Sequence, residues 1–386
     1  MNSLPFDAVE SPWMLDFCHS LKPSYVPAGA PKLQTTVLTQ EYLKSRAAFT
    51  ARLAQEHNLS VSIDFWRSDS DQPVYACNVA FSDGSVFLLG AKELPDAAGT
   101  AEDVAGIIKE WLNMLGPEKV GSLSTDDFGT LTEARCLVVS TPGFTHIVDF
   151  RCPVHALGLA VLAMLGSEPV NALICNAHMM ASRFHASSAA SASLAAEAKE
   201  MGISVELLPC NLSQVQSVHA SLQSLIQMEH AIKQMLQKHP NFPMSQAVSE
   251  CVNRVSFWSQ IAEICKLLAP ITDVVRGSMS RTSSLADVVL HWLHLARFLQ
   301  AAETGANLPH DVIAHCFTDF NQRAAELKSD LCQLALFLDP RYKDIAVPQA
   351  NPGTLLDKAR SLFQNRGHGV EQLIYSIMFQ GYQISV

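Results

Sequence analysis

The sequence has few positive charges, and they do not gather. Its 386 residues hold 27 Lys and Arg against 37 Asp and Glu, a formal net charge of −10, with no basic run anywhere. That disfavours broad electrostatic attraction to nucleic acid or to an acidic membrane surface. Ten cysteines occur, yet none form a Cys-x-x-Cys pair. They read as reduced and mostly buried thiols of a cytosolic or nuclear protein. The N-terminus has no positive segment leading into an apolar one, so no secretory signal is expected. No run approaches the roughly 18 apolar residues of a membrane span. The longest, Ala156 to Leu165, has the length of a core helix. There is no Gly-rich phosphate loop and no internal repeat.

Apolar residues make up 48% and charged residues 17%, the balance of a globular chain rather than a disordered one. The length suits one large or two ordinary domains. A proline-broken arm covers residues 1–40, with a short helix ending at Leu21 and Pro23, Pro27 and Pro31 opposing regular structure. Thr39 is the expected N-cap of a helix from Gln40 to about His57. Strands are expected over Leu59–Phe65, Val74–Phe81 and Val86–Ala91, the last two joined by the turn Ser82-Asp83-Gly84-Ser85. A helix from Thr100 to Leu115 stops at Gly116-Pro117. Then come a strand Val120–Thr125, a helix Phe128–Val139 and a strand Thr145–Phe150. From Cys152 the pattern is nearly all helical: Pro153–Leu165, Asn171–Met201, Ser213–Lys238, Val255–Val275, Ala286–Leu299 and Val370–Phe379. Val205–Leu208 is a possible small strand.

Two of the strands end in carboxylates. Val61-Ser62-Ile63-Asp64 and Val120-Gly121-Ser122-Leu123-Ser124-Thr125-Asp126 each carry an Asp at the end of an apolar run. An unpaired buried carboxylate costs several kcal/mol, so two of them on neighbouring strands suggest a divalent metal. The alternative is that Asp64 and Asp126 are helix caps or turn residues. Cys152 and His155 have metal-ligand spacing, but two ligands fall short of the four of a structural zinc site. They read instead as a core pair that orders the helix beginning at Pro153. His178, His185, His291 and His294 read as surface or satisfied histidines, and Trp111, Trp258 and Trp292 as core aromatics at helical positions. Cys175 and Cys265 lie on apolar faces and read as inert.

The order hairpin, strand, helix, strand, helix, strand, then helices, with acids on the first and fourth strands, is the layout of an RNase H-like core. The chain resembles the hAT superfamily of transposases from about Leu4 to about Lys343. Leu21-Lys22-Pro23-Ser24-Tyr25 is similar to the segment that precedes the family's core. Ser62-Ile63-Asp64-Phe65-Trp66 is similar to its Ser-x-Asp-x-Trp strand end, and Thr125-Asp126-Asp127 in part to its Thr-Asp-Asn turn. Cys152-Pro153-Val154-His155 matches its Cys-x-x-His, and Phe257-Trp258 with Leu267 to Ile271 its insertion-domain helix. Leu336-Phe337-Leu338-Asp339-Pro340-Arg341-Tyr342-Lys343 is similar to its FL-(N/D)-P-R-Y stretch.

The resemblance implies an α/β fold, an RNase H-like mixed sheet flanked by helices, with a large all-helical insertion in the second half. The parts would be an arm over 1–40, the core over 41–210, the helical insertion over 211–345, and a loose tail with a short helix over 346–386. It implies that Asp64 and Asp126 are catalytic and hold Mg²⁺, with Cys152 and His155 structural beside them. The ancestral activity is DNA cleavage by activated water followed by strand transfer. Departures imply a domesticated or truncated derivative with an incomplete site. The family's third acid is a late Glu, for which only Asp127 or Glu371 offers itself. An Arg-aromatic pair is replaced by Cys210-Asn211-Leu212. No BED zinc finger is read before Asp64, and no dimerisation region after Lys343. The expected compartment is the nucleus. The expected partner is DNA, weakly bound, or a nuclear protein, with no membrane involvement.

Overall fold

The computed structural model describes residues 4–342, apart from 69, 96–98, 127–128, 169, 213, 240–241, 243–245, 281–282, 306–317, 319 and 321–329. Asp127, Glu371 and the expected helix Val370–Phe379 lie outside the described residues. The chain is mixed α/β and falls into two compact units, Met1–His57 and Asn58–Val386.

The first unit is helical. After a 3₁₀ turn at Phe6–Glu10 come α1 (Pro12–Leu21), α2 (Ala30–Lys32) and α3 (Leu38–Leu53). A π turn at Leu33–Val37 joins α2 and α3 into one continuous helical stretch. Thr39 therefore lies inside a helix and caps nothing. Pro31 does not oppose the helix, because it stands in the first turn, where no N–H is needed. The Glu10 carboxylate accepts from the Ala30 N–H at 2.8 Å, satisfying one of the donors exposed at that helix start.

The second unit opens with the sheet. Its strands are β1 (Leu59–Arg67), β2 (Pro73–Ala80), β3 (Val86–Glu93), β4 (Val120–Thr125) and β5 (Val148–Arg151), in the order β3-β2-β1-β4-β5. β2 runs antiparallel to both β1 and β3, whereas β1 pairs parallel with β4 and β4 with β5. Gly84 makes the β2–β3 turn possible with a φ of 80°, and the Asp83 carboxylate accepts from the Ser85 N–H. Two crossovers return the chain to the sheet. The first is α4 (Ala101–Leu115), opened by a reciprocal Thr100/Asp103 capping box. The second is α5 (Gly129–Val139).

Direction along β1 and β4 decides which side chains face which layer. Ile63, Cys77, Leu123 and Thr125 point to the α4/α5 side, where the Trp111 indole comes close to Gly90 and Arg135 of α5 reaches Thr125. The opposite face carries Ser60, Ser62, Ser122 and Ser124, with Val148 and Phe150 of β5.

Helices fill the rest: α6 (Pro153–Gly166), α7 (Val170–His185), α8 (Ser188–Glu200), α9 (Val215–Gln227), α10 (Glu229–Lys238), α11 (Gln246–Asn253), α12 (Val255–Ser278), α13 (Leu285–Gly305) and α14 (Asp330–Leu338). One hydrophobic core runs through them, from Cys152 and Leu157 to Trp292 and Phe320. A second, smaller cluster joins α13 and α14 to Val148 and Phe150 of β5. Among the described residues no single helix is long and apolar enough to cross a membrane.

Three expected elements differ. Asn171–Met201 is two helices, because Ser187 leaves the helix and its hydroxyl caps α8 through the Ala190 N–H. Ser213–Lys238 is likewise broken at Met228. Val205–Leu208 is not a strand. Its backbone bonds to side chains of α9 instead: the Leu208 N–H donates to Ser224 Oγ and the Leu208 carbonyl accepts from Ser221 Oγ.

Candidate functional site at the ends of two parallel strands

β1 and β4 pair with Ser60 opposite Ser122, Ser62 opposite Ser124 and Ile63 opposite Thr125. Asp64 follows Ile63 within β1, and Asp126 is the residue directly after β4. Both segments share the sequence pattern Ser-x-Ser-x-Asp with the paired serines on one face, and the strands stand side by side at the usual ~4.8 Å strand spacing. The hydroxyls of Ser122 and Ser60 meet at 3.1 Å. Asp126 thus follows the end of its strand, whereas Asp64 does not end β1, which runs on to Arg67 because Phe65, Trp66 and Arg67 stay paired with β2.

Each carboxylate is held by the protein. Asp64 is buried at 9% exposure, and its Oδ2 accepts from the amide Nδ2 of Asn78 on β2 at 2.7 Å. Asp126 Oδ2 accepts from the backbone N–H of Phe65 at 3.3 Å, which ties the second acid to the residue beside the first. Asp126 Oδ1 faces His155 Nδ1 at 3.4 Å. Trp66, two residues past Asp64, is about half exposed at 47%.

The N-terminus of α6 closes this end of the sheet. The Cys152 N–H donates to the Thr125 carbonyl at 2.9 Å, so α6 starts one residue from Asp126 in space. Cys152 is the N-cap, and its Sγ accepts from the His155 N–H at 3.3 Å. Behind β4, on the other face, the buried guanidinium of Arg135 donates to Thr125 Oγ1 at 2.6 Å and to Asp149 Oδ2 at 3.1 Å. Thr125 Oγ1 in turn donates to the Asp126 carbonyl.

These placements shift the acids and thiols. Burial pushes Asp126 above the ordinary carboxylate range, while His155 and the Phe65 N–H pull it part of the way back. Burial pushes the Cys152 thiol up to about 12, with the Asp126 and Asp64 charges adding to the rise. Cys77 is likewise raised by burial and then by Asp64. Burial thus favours the neutral thiol at both cysteines.

The structure thus brings Asp126, His155 and Cys152 together, and links Asp64 to them through Phe65. Two carboxylates offer hard oxygen donors, which Mg²⁺ accepts with water and phosphate oxygens in its other positions. Among the described residues no group of three or more His, Cys, Asp and Glu side chains converges as a metal cluster.

The sequence reading missed Asn78 and Arg135. Asn78 carries no motif of its own. The repeated Ser-x-Ser-x-Asp, spaced by 62 residues, was the signal available for the strand register. The other residues singled out are structural. Trp111, Trp258 and Trp292 are buried, and His291 accepts or donates a hydrogen bond with Ser278 at 2.8 Å. Compared with known proteins, the chain matches no family model and no curated protein.

Proposed function

We propose that the sheet is RNase H-like and that the chain derives from a hAT-type transposase, its Asp64/Asp126 pair being the reduced form of a phosphodiester-cleaving centre. The reading places the protein in the nucleus. One observation carries it: Asp64 within β1 and Asp126 just after the adjacent parallel β4 are linked through the Phe65 N–H, in a sheet ordered β3-β2-β1-β4-β5 in which β2 opposes both of its neighbours.

In this reading Asp64 and Asp126 hold one Mg²⁺, and a DNA phosphate is the substrate group. The ion, when bound, supplies Lewis-acid stabilisation of phosphate charge. The chain's own residues do the rest. Asn78 and the Phe65 N–H orient the carboxylates, and the His155 ring faces Asp126. A second ion needs more carboxylate charge than this pair provides. The activity expected of these two acids alone is therefore cation and phosphate binding with little or no strand cleavage.

A second reading rests on a specific observation. Asn78 and His155 already serve the two acids with protein donors. On that reading the pair is an inherited structural element, and the protein acts without catalysis by binding a nuclear protein, a partner better suited to its −10 net charge than DNA is.

A nuclease assay with Mg²⁺ or Mn²⁺, run beside a cation titration, separates the two. Saturable binding abolished by Asp64→Asn supports the first. Absence of binding together with equal cleavage by the wild type and Asp64→Asn supports the second.

A further inference from the structure

The α6 side of the site is not fixed by the sheet alone. α6 begins at Pro153, and the Pro153 carbonyl accepts a hydrogen bond from the indole Nε1 of Trp292 at 3.2 Å. Trp292 lies on α13, 139 residues away in sequence, and is buried at 3% exposure. Its ring packs on Phe320 with centroids 4.9 Å apart. Two residues after Pro153 comes His155, whose ring faces Asp126.

α13 is itself gripped one and a half turns earlier. Asp287 forms a reciprocal capping box with Ser284 at the helix start. The same carboxylate accepts from Arg341 Nη2 at 3.0 Å and from the Tyr342 hydroxyl. Arg341 is clamped in turn by Asp339, through Nε at 3.0 Å and Nη2 at 2.6 Å. The Asp339-Pro340-Arg341-Tyr342 turn thus latches the end of α14 onto the first turn of α13. The latch thus holds the start of α13, the helix that carries Trp292, and Trp292 in turn reaches the first turn of α6, where His155 stands.

We infer that Trp292 is a positioning residue for the strand-end site: its indole N–H sets where the first turn of α6 sits, and through it the His155 ring against Asp126. The physical basis is that a buried N–H must keep its acceptor. With α13 pinned at Asp287, the indole can meet the Pro153 carbonyl only if that turn stays in place. The inference rests on the cation-site reading for its consequence, but not for its geometry.

The test uses the full chain and two conservative variants. Trp292→Phe keeps a ring against Phe320 and deletes the N–H. Trp258→Phe deletes another buried indole bond, Nε1 to the Val252 carbonyl at 2.9 Å, which does not involve α6. The melting temperatures of both variants are measured beside the wild type, so that folding loss is controlled. The readouts are the imidazole ¹H–¹⁵N signals of His155, assigned by their absence in His155→Asn, and Mn²⁺ affinity. Trp292→Phe is expected to shift the His155 signals and to weaken Mn²⁺ roughly fivefold, the ratio matching the loss of one ordinary hydrogen bond. Trp258→Phe is expected to leave both unchanged. His155 signals and Mn²⁺ affinity that stay at wild-type values in Trp292→Phe, or that move equally in both variants, overturn the inference. A wild type that binds no Mn²⁺ overturns the cation reading instead, and the His155 signals then decide the positioning role by themselves.

Discussion

Asp126 lends a carboxylate oxygen to the backbone N–H of Phe65, the residue next to Asp64, across 61 positions of sequence. The bond makes the two acids parts of one object. Displacing β4 from β1 would break it.

The pH dependence of stability follows from Asp126. Its folded pKa is raised, by burial first, with His155 and the Phe65 N–H opposing. The folded state therefore holds a proton that the unfolded state releases sooner. Stability from this group falls as pH rises from the ordinary carboxylate value through the raised one, and stays lower above it. Asp126→Asn is expected to raise the melting temperature at pH 7 and to remove that part of the pH dependence. Thermal denaturation of both proteins from pH 4 to pH 8 checks it.

Asn78 decides how well Asp64 tolerates burial. Asn78→Leu removes the amide that donates at 2.7 Å. The expected cost is roughly 1–3 kcal/mol, as for other buried acceptors deprived of a donor, read by urea denaturation. Asn78→Asp sets a third carboxylate against Asp64. That variant is expected to be less stable than the wild type at pH 7, and to regain stability in millimolar Mn²⁺ by a larger margin than the wild type does.

Arg135 braces the underside of β4. Arg135→Met leaves Thr125 and Asp149 without their cation. Asp149 is 37% exposed and so partly hydrated, which lowers the cost below that of a fully buried broken pair. About 2 kcal/mol is expected. Hydrogen exchange should quicken first in β4 and β5.

Asp287 behaves oppositely to Asp126. Burial raises its pKa, but hydrogen bonds from Tyr342, Ser284 and Arg341 outweigh burial and leave it below the ordinary carboxylate range. Its stabilisation is present above the unfolded value and is lost as pH falls through the depressed one. Tyr342→Phe is expected to cost about 1 kcal/mol. It should also loosen the α13–α14 contact, seen as faster exchange in both helices.

Much of the sheet could be read from the sequence because its strands carry local signals. β-branched runs, the Ser82–Ser85 turn and the Gly116 stop each mark a boundary within a few residues. The helical breaks at Ser187 and Met228 could not, since an Ala- and Ser-rich run continues the helical pattern straight through a cap. Thr39 misled because the start at Ala30 depends on Glu10, twenty residues earlier. In the site, Asp64 and Asp126 stood out as charges ending apolar runs. Asn78 did not, because a polar residue in a strand gains its meaning only from the strand beside it. The Trp292–Pro153 bond spans 139 residues and has no local trace at all.

The central claim is that Asp64 and Asp126 together hold one divalent cation. Its most direct measurement is the melting temperature of the wild type, Asp64→Asn and Asp126→Asn across a Mn²⁺ titration, at fixed ionic strength and pH 7.5. The account predicts a saturable rise for the wild type, reaching about 2.7 kcal/mol of added stability at a hundred times the dissociation constant, and no rise for either variant. A wild-type melting temperature that does not move at millimolar Mn²⁺, or that moves equally in all three proteins, would contradict it.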